Sequence, residues 1–383
     1  MMSSEPEYNG LINIIEVKCM PKKIAVTVVY GGKSTEHDVS LQTALSVIQA
    51  IDRDKYEIQP VYINKLGDWL QRPKVTGEIN DVKMLIASND EKEQSTALIS
   101  PISRLSNTKP DDSQLQVVFP LLHGANGEDG TVQGLFELLD LPYVGANVLA
   151  SSVAMDKVVL RDLFASYGFA QPEYRSFTRY DWEQRKAACL TQVENELGYP
   201  CFVKPANAGS SVGISKCKTQ SDLEKGIEEA LKYDHKMIIE KAVNGREVEI
   251  GIIGNDEPIA SVAGEIAYES EFYDYQSKYH DEQTKLIIPA RMPDEVYEQM
   301  KEIAIKAYKA INCTGLARID FFLTDDHQLL INEINTLPGF TPFSMFPQLW
   351  AHSGLPYAEL IDRLIQYAIE RYEAKKKITY IIE

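Results

Sequence analysis

The run Gly315-Leu316-Ala317-Arg318-Ile319-Asp320-Phe321-Phe322, then the polar turn Asp325-Asp326-His327, then Leu330-Ile331-Asn332-Glu333-Ile334-Asn335, reads as a β-hairpin carrying chemistry. Side chains alternate faces along a strand, so Arg318 and Asp320 share a face of the first arm, and Glu333 and Asn335 share a face of the second. A polar turn between two such runs lets the pairs converge across neighbouring strands. Two carboxylates, an amide and a guanidinium are costly inside apolar β-structure unless they bind something. Such oxygen donors suit Mg²⁺, and a nearby arginine suits phosphate or a developing oxyanion. The hairpin therefore points to phosphoryl or acyl chemistry on a metal-bound nucleotide.

Around the hairpin the sequence alternates between strand and helix patterns. A long helix is expected over Asp294–Ile311, preceded by strands at Met237–Val243, Val248–Ile253 and Ile259–Ile266. Residues 267–285 are polar, tyrosine-rich and without period, as in a loop beside a site. Phe202–Ala206 and Val212–Cys217 read as short strands around a Gly/Ser loop. Ser221-Asp222-Leu223-Glu224 reads as a capping box opening a helix to Tyr233, and Met155–Tyr167 as one helix. Lys22–Tyr30 is a continuous β-branched run, the mark of a strand covered on both faces. It is followed by a helical stripe at Leu41, Ala44, Leu45 and Ile48, by strands at Tyr56–Ile63 and Val117–Leu122, and by a second stripe at Val132, Leu135, Phe136 and Leu139. Strands alternating with helices predict a parallel α/β domain up to about residue 145. Residues 77–112 read as a polar excursion from it, Tyr357–Tyr372 as an amphipathic helix, and 375–383 as a polar tail.

With 383 residues, two or three domains are expected. Lys plus Arg number 39 against 56 Asp plus Glu, a net charge of −17, which argues against general nucleic-acid binding. The five cysteines, Cys19, Cys189, Cys201, Cys217 and Cys313, are odd in number and lack CxxC spacing, so free thiols in a reducing cytoplasm are expected rather than disulfides or zinc. No apolar run is long enough to span a membrane. The first twenty residues are acidic and lack the basic start of a signal peptide. Residues 1–21 are expected to be a dispensable extension, with Met20 as an alternative start.

Further segments carry candidate chemistry, each with a plainer reading. Lys204 precedes the small-residue loop Ala206–Gly213, whose backbone and Ser210 and Ser211 can cradle phosphate; an ordinary β-turn is the alternative. No Walker A or GxGxxG pattern follows a strand here, so a nucleotide site must be of another kind. Gly31–Ser40 lies at a strand-to-helix junction, where Glu36 could hold an ammonium, or Ser34 or Asp38 could simply cap the helix. His123 ends a strand ahead of Gly124–Gly130, where ligands of α/β sheets bind; a tight loop is the alternative. Glu240 and Glu247 could bind adenine and ribose or be solvated surface carboxylates. Tyr273–Tyr279, with Lys278, could be a lid or a surface loop. His235, His280, His327 and His352 have no ligand-like spacing.

The segments GGKSTEHDVSLQTA, HGANGEDGTVQG, PYVG, MDK, FVKPANAGSSVG, FYDYQSKY, GLARIDFF and NEINTLPGFTPFS occur in the order found in D-alanine–D-alanine ligases, which the chain resembles over about residues 22–372. The resemblance implies an ATP-grasp fold: an N-terminal parallel α/β domain at 22–145, a small central lid domain at 146–240 and a C-terminal antiparallel-sheet catalytic domain at 241–374. It implies ATP and two Mg²⁺ as cofactors, with Mn²⁺ as a substitute, and Asp320, Glu333 and Asn335 as metal ligands. Lys157 and Lys204 match contacts to the α/β-phosphates, Glu240, Val243 and Glu247 the adenosine contacts, and Lys278 the lid lysine on the γ-phosphate. Ser211 joins the nucleotide loop. Glu36 matches the residue holding the first D-alanine's ammonium, linked through Ser210 and Tyr279. His123 falls beside that substrate's carboxylate, Arg318 and the Gly339 backbone match oxyanion donors, and Ser344 matches the contact to the second carboxylate.

The implied reaction is ATP-dependent ligation of two D-alanines through an acyl phosphate, for peptidoglycan synthesis in the cytoplasm. A homodimer is expected on the same resemblance, with neither nucleic acid nor membrane as partner. The rivals are a D-alanine–D-lactate or other ATP-grasp ligase, and a catalytically silent nucleotide-binding protein. Tyr279 favours the dipeptide, because some depsipeptide-forming members of the family carry Phe there.

Overall fold

The computed structural model describes residues 23–86, 115–209, 212–267 and 285–380. Ser210, Ser211, Lys278 and Tyr279 lie outside them, as do the N-terminal extension and most of the polar excursion. The described chain is mixed α/β, with three sheets.

The first sheet holds β1 (Ile24–Gly31), β2 (Tyr56–Ile63), β3 (Trp69–Gln71) and β4 (Gln116–Leu121) in the order β3-β2-β1-β4. β1 runs parallel to β2 and β4, and short β3 closes one edge antiparallel. β1 shows no apolar–polar alternation because both its faces are covered. Val26, Val28 and Tyr30 pack with α1 (His37–Ala50), while Val29 packs with α2 (Thr131–Leu138). A parallel strand buried in this way reads as one apolar run.

The second sheet holds β5 (Tyr174–Thr178), β6 (Cys201–Pro205), β7 (Ser215–Cys217) and β8 (Lys236–Lys241) in the order β5-β8-β6-β7, all pairs antiparallel. Helices α5 (Arg179–Glu196) and α6 (Gln220–Ala230) supply its core, with Trp182, Val193, Leu223 and Ile227 against Val203 and Ile239.

The third sheet is antiparallel: β9 (Gly245–Gly254), β10 (Ile259–Ala267), β11 (Lys285–Ile287), β12 (Gly315–Thr324) and β13 (Leu329–Asn335), in the order β11-β10-β9-β12-β13. On one face α3 (Val148–Met155), α4 (Lys157–Ser166) and α7 (Asp294–Ala310) pack on Ile250, Ile319, Phe321 and Ile334. On the other face lies α8 (Met345–His352), against β9 and β10. The last helix, α9 (Tyr357–Lys375), joins the core of the first sheet, placing Leu360 and Leu364 with Val26 and Tyr30.

Three expectations are corrected. The helix expected over 155–167 is the single helix α4, but it starts two residues later, because Asp156 leaves helical geometry and caps it, its carboxylate accepting from the Val158 and Val159 N–H groups at 3.1 Å each. α3, just before it, is not expected from the sequence. The helix expected to open at Ser221 opens earlier, capped by the Thr219 hydroxyl accepting from the Asp222 N–H at 3.2 Å, and it ends at Ala230. The strand expected over 212–217 is confined to Ser215–Cys217.

The β12–β13 hairpin forms with a register that pairs Arg318 with Asn335 and Asp320 with Glu333, then shifts so that Phe321 faces Ile331. Asn332 is the extra residue of this β-bulge. Without it Ile331 and Ile334, three apart, would point to opposite faces; with it both enter the core and Glu333 joins Asn335 on the polar face.

Candidate active site

The polar face of the third sheet centres on Arg318. Its Nε and Nη2 donate to the two oxygens of Asp320, both at 2.8 Å, and Nε lies 2.9 Å from Glu249 Oε2 across the β9–β12 register. All three side chains are buried. Burial works against the guanidinium charge, but Asp320, Glu249 and Glu333 overcome it and hold Arg318 firmly cationic, with its pKa raised well above the ordinary value. Glycines on this face let α8 sit directly on the sheet. A Cβ on Gly264 would fall 2.6 Å from Met345 Sδ, and one on Gly251 would fall 2.8 Å from Trp350 Nε1. The loop before α8 folds tightly: a Cβ on Gly339 would lie 3.1 Å from Ser344 Oγ, which accepts from the Thr341 N–H at 3.2 Å.

Asp320, Glu333 and Asn335 form an all-oxygen donor set. Among the described residues no three His, Cys, Asp or Glu side chains gather closely enough to hold an ion unaided. Two carboxylates and an amide fit an ion that takes its remaining ligands from phosphate oxygens and water, which is the habit of Mg²⁺.

A second polar group joins the second and third sheets. Lys204 Nζ lies 2.6 Å from Glu240 Oε2, and Arg161 donates to Glu240 Oε1 from Nε at 2.9 Å and from Nη2 at 2.5 Å. Arg161 also reaches the bulge, donating from Nη1 to the Ile331 carbonyl at 2.6 Å and from Nη2 to Asn332 Oδ1 at 3.0 Å. Burial pushes Glu240 up, but Arg161 and Lys204 hold its pKa down at about 2. Glu240 is thus a buried, paired carboxylate and not a solvated one. Lys157 opens α4 beside the same group. Its N–H donates to the Ala206 carbonyl at 3.0 Å and its Nζ to the Ala208 carbonyl at 2.7 Å, seating the helix on the Gly/Ser loop. Burial lowers the Lys157 pKa, opposed mainly by Glu333. Val243 lies half-buried between β8 and β9, and Glu247 stands on β9 two residues before Glu249.

A third group forms at the C-terminal ends of β1 and β4, where parallel sheets bind ligands. Glu36 precedes α1 with no side-chain cap bond of its own; Ser34 Oγ accepts from the Glu36 N–H at 3.1 Å. Neither Ser34 nor Asp38 serves as the N-cap of α1. Glu36 is buried against Gly124, whose Cβ would fall 2.9 Å from Glu36 Oε2. Gly209 brings the Gly/Ser loop to the same place, its hypothetical Cβ 3.6 Å from both Glu36 Oε2 and Glu128 Oε2. His123 is buried with Nε2 3.4 Å from Thr43 Oγ1 and Nδ1 3.7 Å from Glu128 Oε1.

The structure therefore gathers Arg318, Asp320, Glu333 and Asn335 on one face, Lys157, Lys204 and Glu240 beside them, and Glu36 with His123 against the Gly/Ser loop. Three participants escape sequence reasoning. Glu249 is discoverable, because it alternates with Glu247 on an expected strand. Glu128 sits in the loop after His123 with no feature to single it out. Arg161 looks like an ordinary polar position on an amphipathic helix, and only the fold buries it.

Two family patterns cover most of the chain: D-ala D-ala ligase N-terminus matches residues 25–146, and D-ala D-ala ligase C-terminus matches residues 163–366. Among curated relatives, the D-alanine--D-alanine ligase of Geobacillus thermodenitrificans is 56% identical over 94% of this chain and 100% of its own length. That of Listeria welshimeri is 48% identical over 94% of this chain and 100% of its own length. Among solved structures, the D-alanine-D-alanine ligase from Coxiella burnetii superposes with a TM-score of 0.76 at 34% identity, covering 93% of this chain and 97% of that one. The VanG D-Ala:D-Ser ligase from Enterococcus faecalis gives 0.77 at 34% identity, covering 91% and 100%.

Proposed function

Because this chain belongs to the D-alanine–D-alanine ligase family, we propose that the Arg318-centred face carries the ATP-dependent joining of two D-alanines. The protein is an ATP-dependent ligase forming D-alanyl-D-alanine for peptidoglycan synthesis, and its fold is the ATP-grasp fold. The observation carrying the residue assignment is the register that sets Arg318 opposite Asn335 and Asp320 opposite both Glu333 and Glu249.

In this reading Asp320, Glu333 and Asn335 would hold two Mg²⁺ ions, replaceable by Mn²⁺, which would supply charge neutralisation on the ATP phosphates. Lys157 and Lys204 bind the α/β-phosphates with Ser211, and Lys278 the γ-phosphate. Glu240, Val243 and Glu247 receive the adenosine. Glu36, supported by Ser210 and Tyr279, holds the first substrate's ammonium, while His123 faces its carboxylate. That carboxylate is a poor electrophile until ATP phosphorylates it. The second D-alanine, its carboxylate at Ser344, attacks as a neutral amine, and phosphate leaves. Arg318 and the Gly339 N–H stabilise the tetrahedral oxyanion. Divisions at 22–145, 146–240 and 241–374, a homodimer and a cytoplasmic location complete the proposal. No helix among the described residues is long and apolar enough to cross a membrane.

A phosphate-release assay tests the activity. Release should require D-alanine and a divalent cation and should fail with L-alanine. The absence of any D-alanine-dependent release would leave the silent nucleotide-binding reading. Tyr279→Phe tests nucleophile choice: the variant should keep some dipeptide synthesis and gain D-alanine–D-lactate, most visibly at lower pH, where the competing amine is protonated. Product analysis showing no depsipeptide at any pH refutes the role given to Tyr279.

A further inference from the structure

The loop after β4 folds back on itself. Gly124 adopts φ +78°, and its carbonyl accepts from the Gly127 and Glu128 N–H groups, both at 3.1 Å. The turn is pinned further by Asp129, which accepts from the Asn126 N–H at 2.8 Å and the Thr131 N–H at 3.0 Å. It returns Glu128 to His123, five residues back, with Oε1 3.7 Å from Nδ1. The imidazole is 4% exposed and Glu128 14%. The His123 ring and the Glu128 carboxylate are thus in ion-pair contact, with the Gly124 N–H beside the carboxylate and the Leu337 carbonyl facing the ring.

We propose that Glu128 is a positioning residue that holds His123 as an imidazolium aimed at the carboxylate of the first substrate. This rests on the reading of His123 as the contact to that carboxylate. A buried imidazole without a counter-ion is neutral, and a neutral ring has little to offer an anion. The charged groups around it are Glu128 from its own loop and Glu36 from the start of α1. Lys157, at the start of α4, in turn faces Glu128. Glu36 faces the substrate ammonium once substrate is bound, so Glu128 is the carboxylate that balances His123 both before and after substrate arrives. Burial works against both charges and, with Glu36, raises the Glu128 pKa, which His123 pulls back down; on the ring, Glu128 and then Glu36 outweigh burial and raise the His123 pKa above its ordinary value.

The test reads the ring directly. In the full-length protein labelled with ¹⁵N-histidine, the His123 signal is assigned by its loss in His123→Gln. Its titration is then followed in wild type, Glu128→Gln and Glu128→Asp. The wild-type midpoint should lie above that of a free imidazole, fall by about one unit or more in Glu128→Gln, and recover in part in Glu128→Asp. One unit is about a tenfold loss of imidazolium above the midpoint. At about pH 8 the KM for the first D-alanine should then rise about tenfold in Glu128→Gln, with kcat changed much less, and the difference should close toward about pH 6. A wild-type midpoint at or below that of free imidazole overturns the proposal without any variant. So does a midpoint unmoved by Glu128→Gln, or a KM increase that is constant with pH. If His123→Gln leaves the first-site KM unchanged while the titration shifts as expected, the contact assigned to His123 fails and the pairing stands.

Discussion

Glu333→Ala should leave the protein folded and stop ligation. Glu333 lies on the accessible face of β13, opposite Asp320, and supports no part of the apolar core. Its removal leaves Arg318 paired with Asp320 and Glu249, so the buried charges of that face stay compensated. What it removes is one of two carboxylates proposed to hold the metal on the phosphates. Such charge stabilisation is worth several kcal/mol, and each step of about 1.36 kcal/mol is a factor of ten, so turnover should fall by about a thousandfold or more. Dipeptide synthesis measured across Mg²⁺ concentrations, beside a thermal melt, checks both halves. Near-normal turnover at saturating Mg²⁺ would take Glu333 out of the metal set.

Arg161→Met should cost the fold about 3–5 kcal/mol, the range for breaking a buried ion pair by removing one partner. The side chain is 2% exposed and ties Glu240 on β8 to the Ile331 carbonyl and Asn332 at the bulge of β13. Without it, Glu240 keeps Lys204 alone, and the bulge loses both its donors from Arg161. Denaturant unfolding should show the loss, and Arg161→Met combined with Glu240→Gln should be less destabilising than the sum of the two single changes. A fully additive pair would mean that the two side chains do not act together. Acid unfolding gives an independent check. Glu240 is depressed from 4.5 to about 2 in the fold, so its contribution is complete above about pH 4.5 and is lost as pH falls toward 2. Across that window the carboxylate accounts for about 3 kcal/mol of pH-dependent stability. Glu240→Gln should remove that slope, and an unchanged slope would show that Glu240 is not the group responsible.

Chemistry that depends on local order is legible in the chain itself. The alternation of Arg318 with Asp320 and of Glu333 with Asn335, the β-branched run at Lys22–Tyr30 and the helical stripe at Leu41–Ile48 each state a face or a burial pattern through periods of two or 3.6 residues. These periods are properties of backbone geometry, so a single chain records them. The hairpin's two polar pairs can be foreseen on this ground alone, and the ordered motifs add the family.

Long-range placement is not legible. Nothing local in Arg161 distinguishes it from an exposed arginine on an amphipathic helix; its burial follows from α4 lying where strands from two different sheets approach. The bulge at Asn332 leaves no signal in composition, yet it sets the face on which Glu333 stands. Glu128 meets His123 because a left-handed Gly124 turns the loop, and both meet Glu36 because β1 and β4 are neighbours in the first sheet. Sequence periodicity establishes which residues share a face within one element. Which faces meet depends on the apolar packing that docks three sheets together, and that docking brings in the counter-charges that let Arg318 and Glu240 remain ionised away from water.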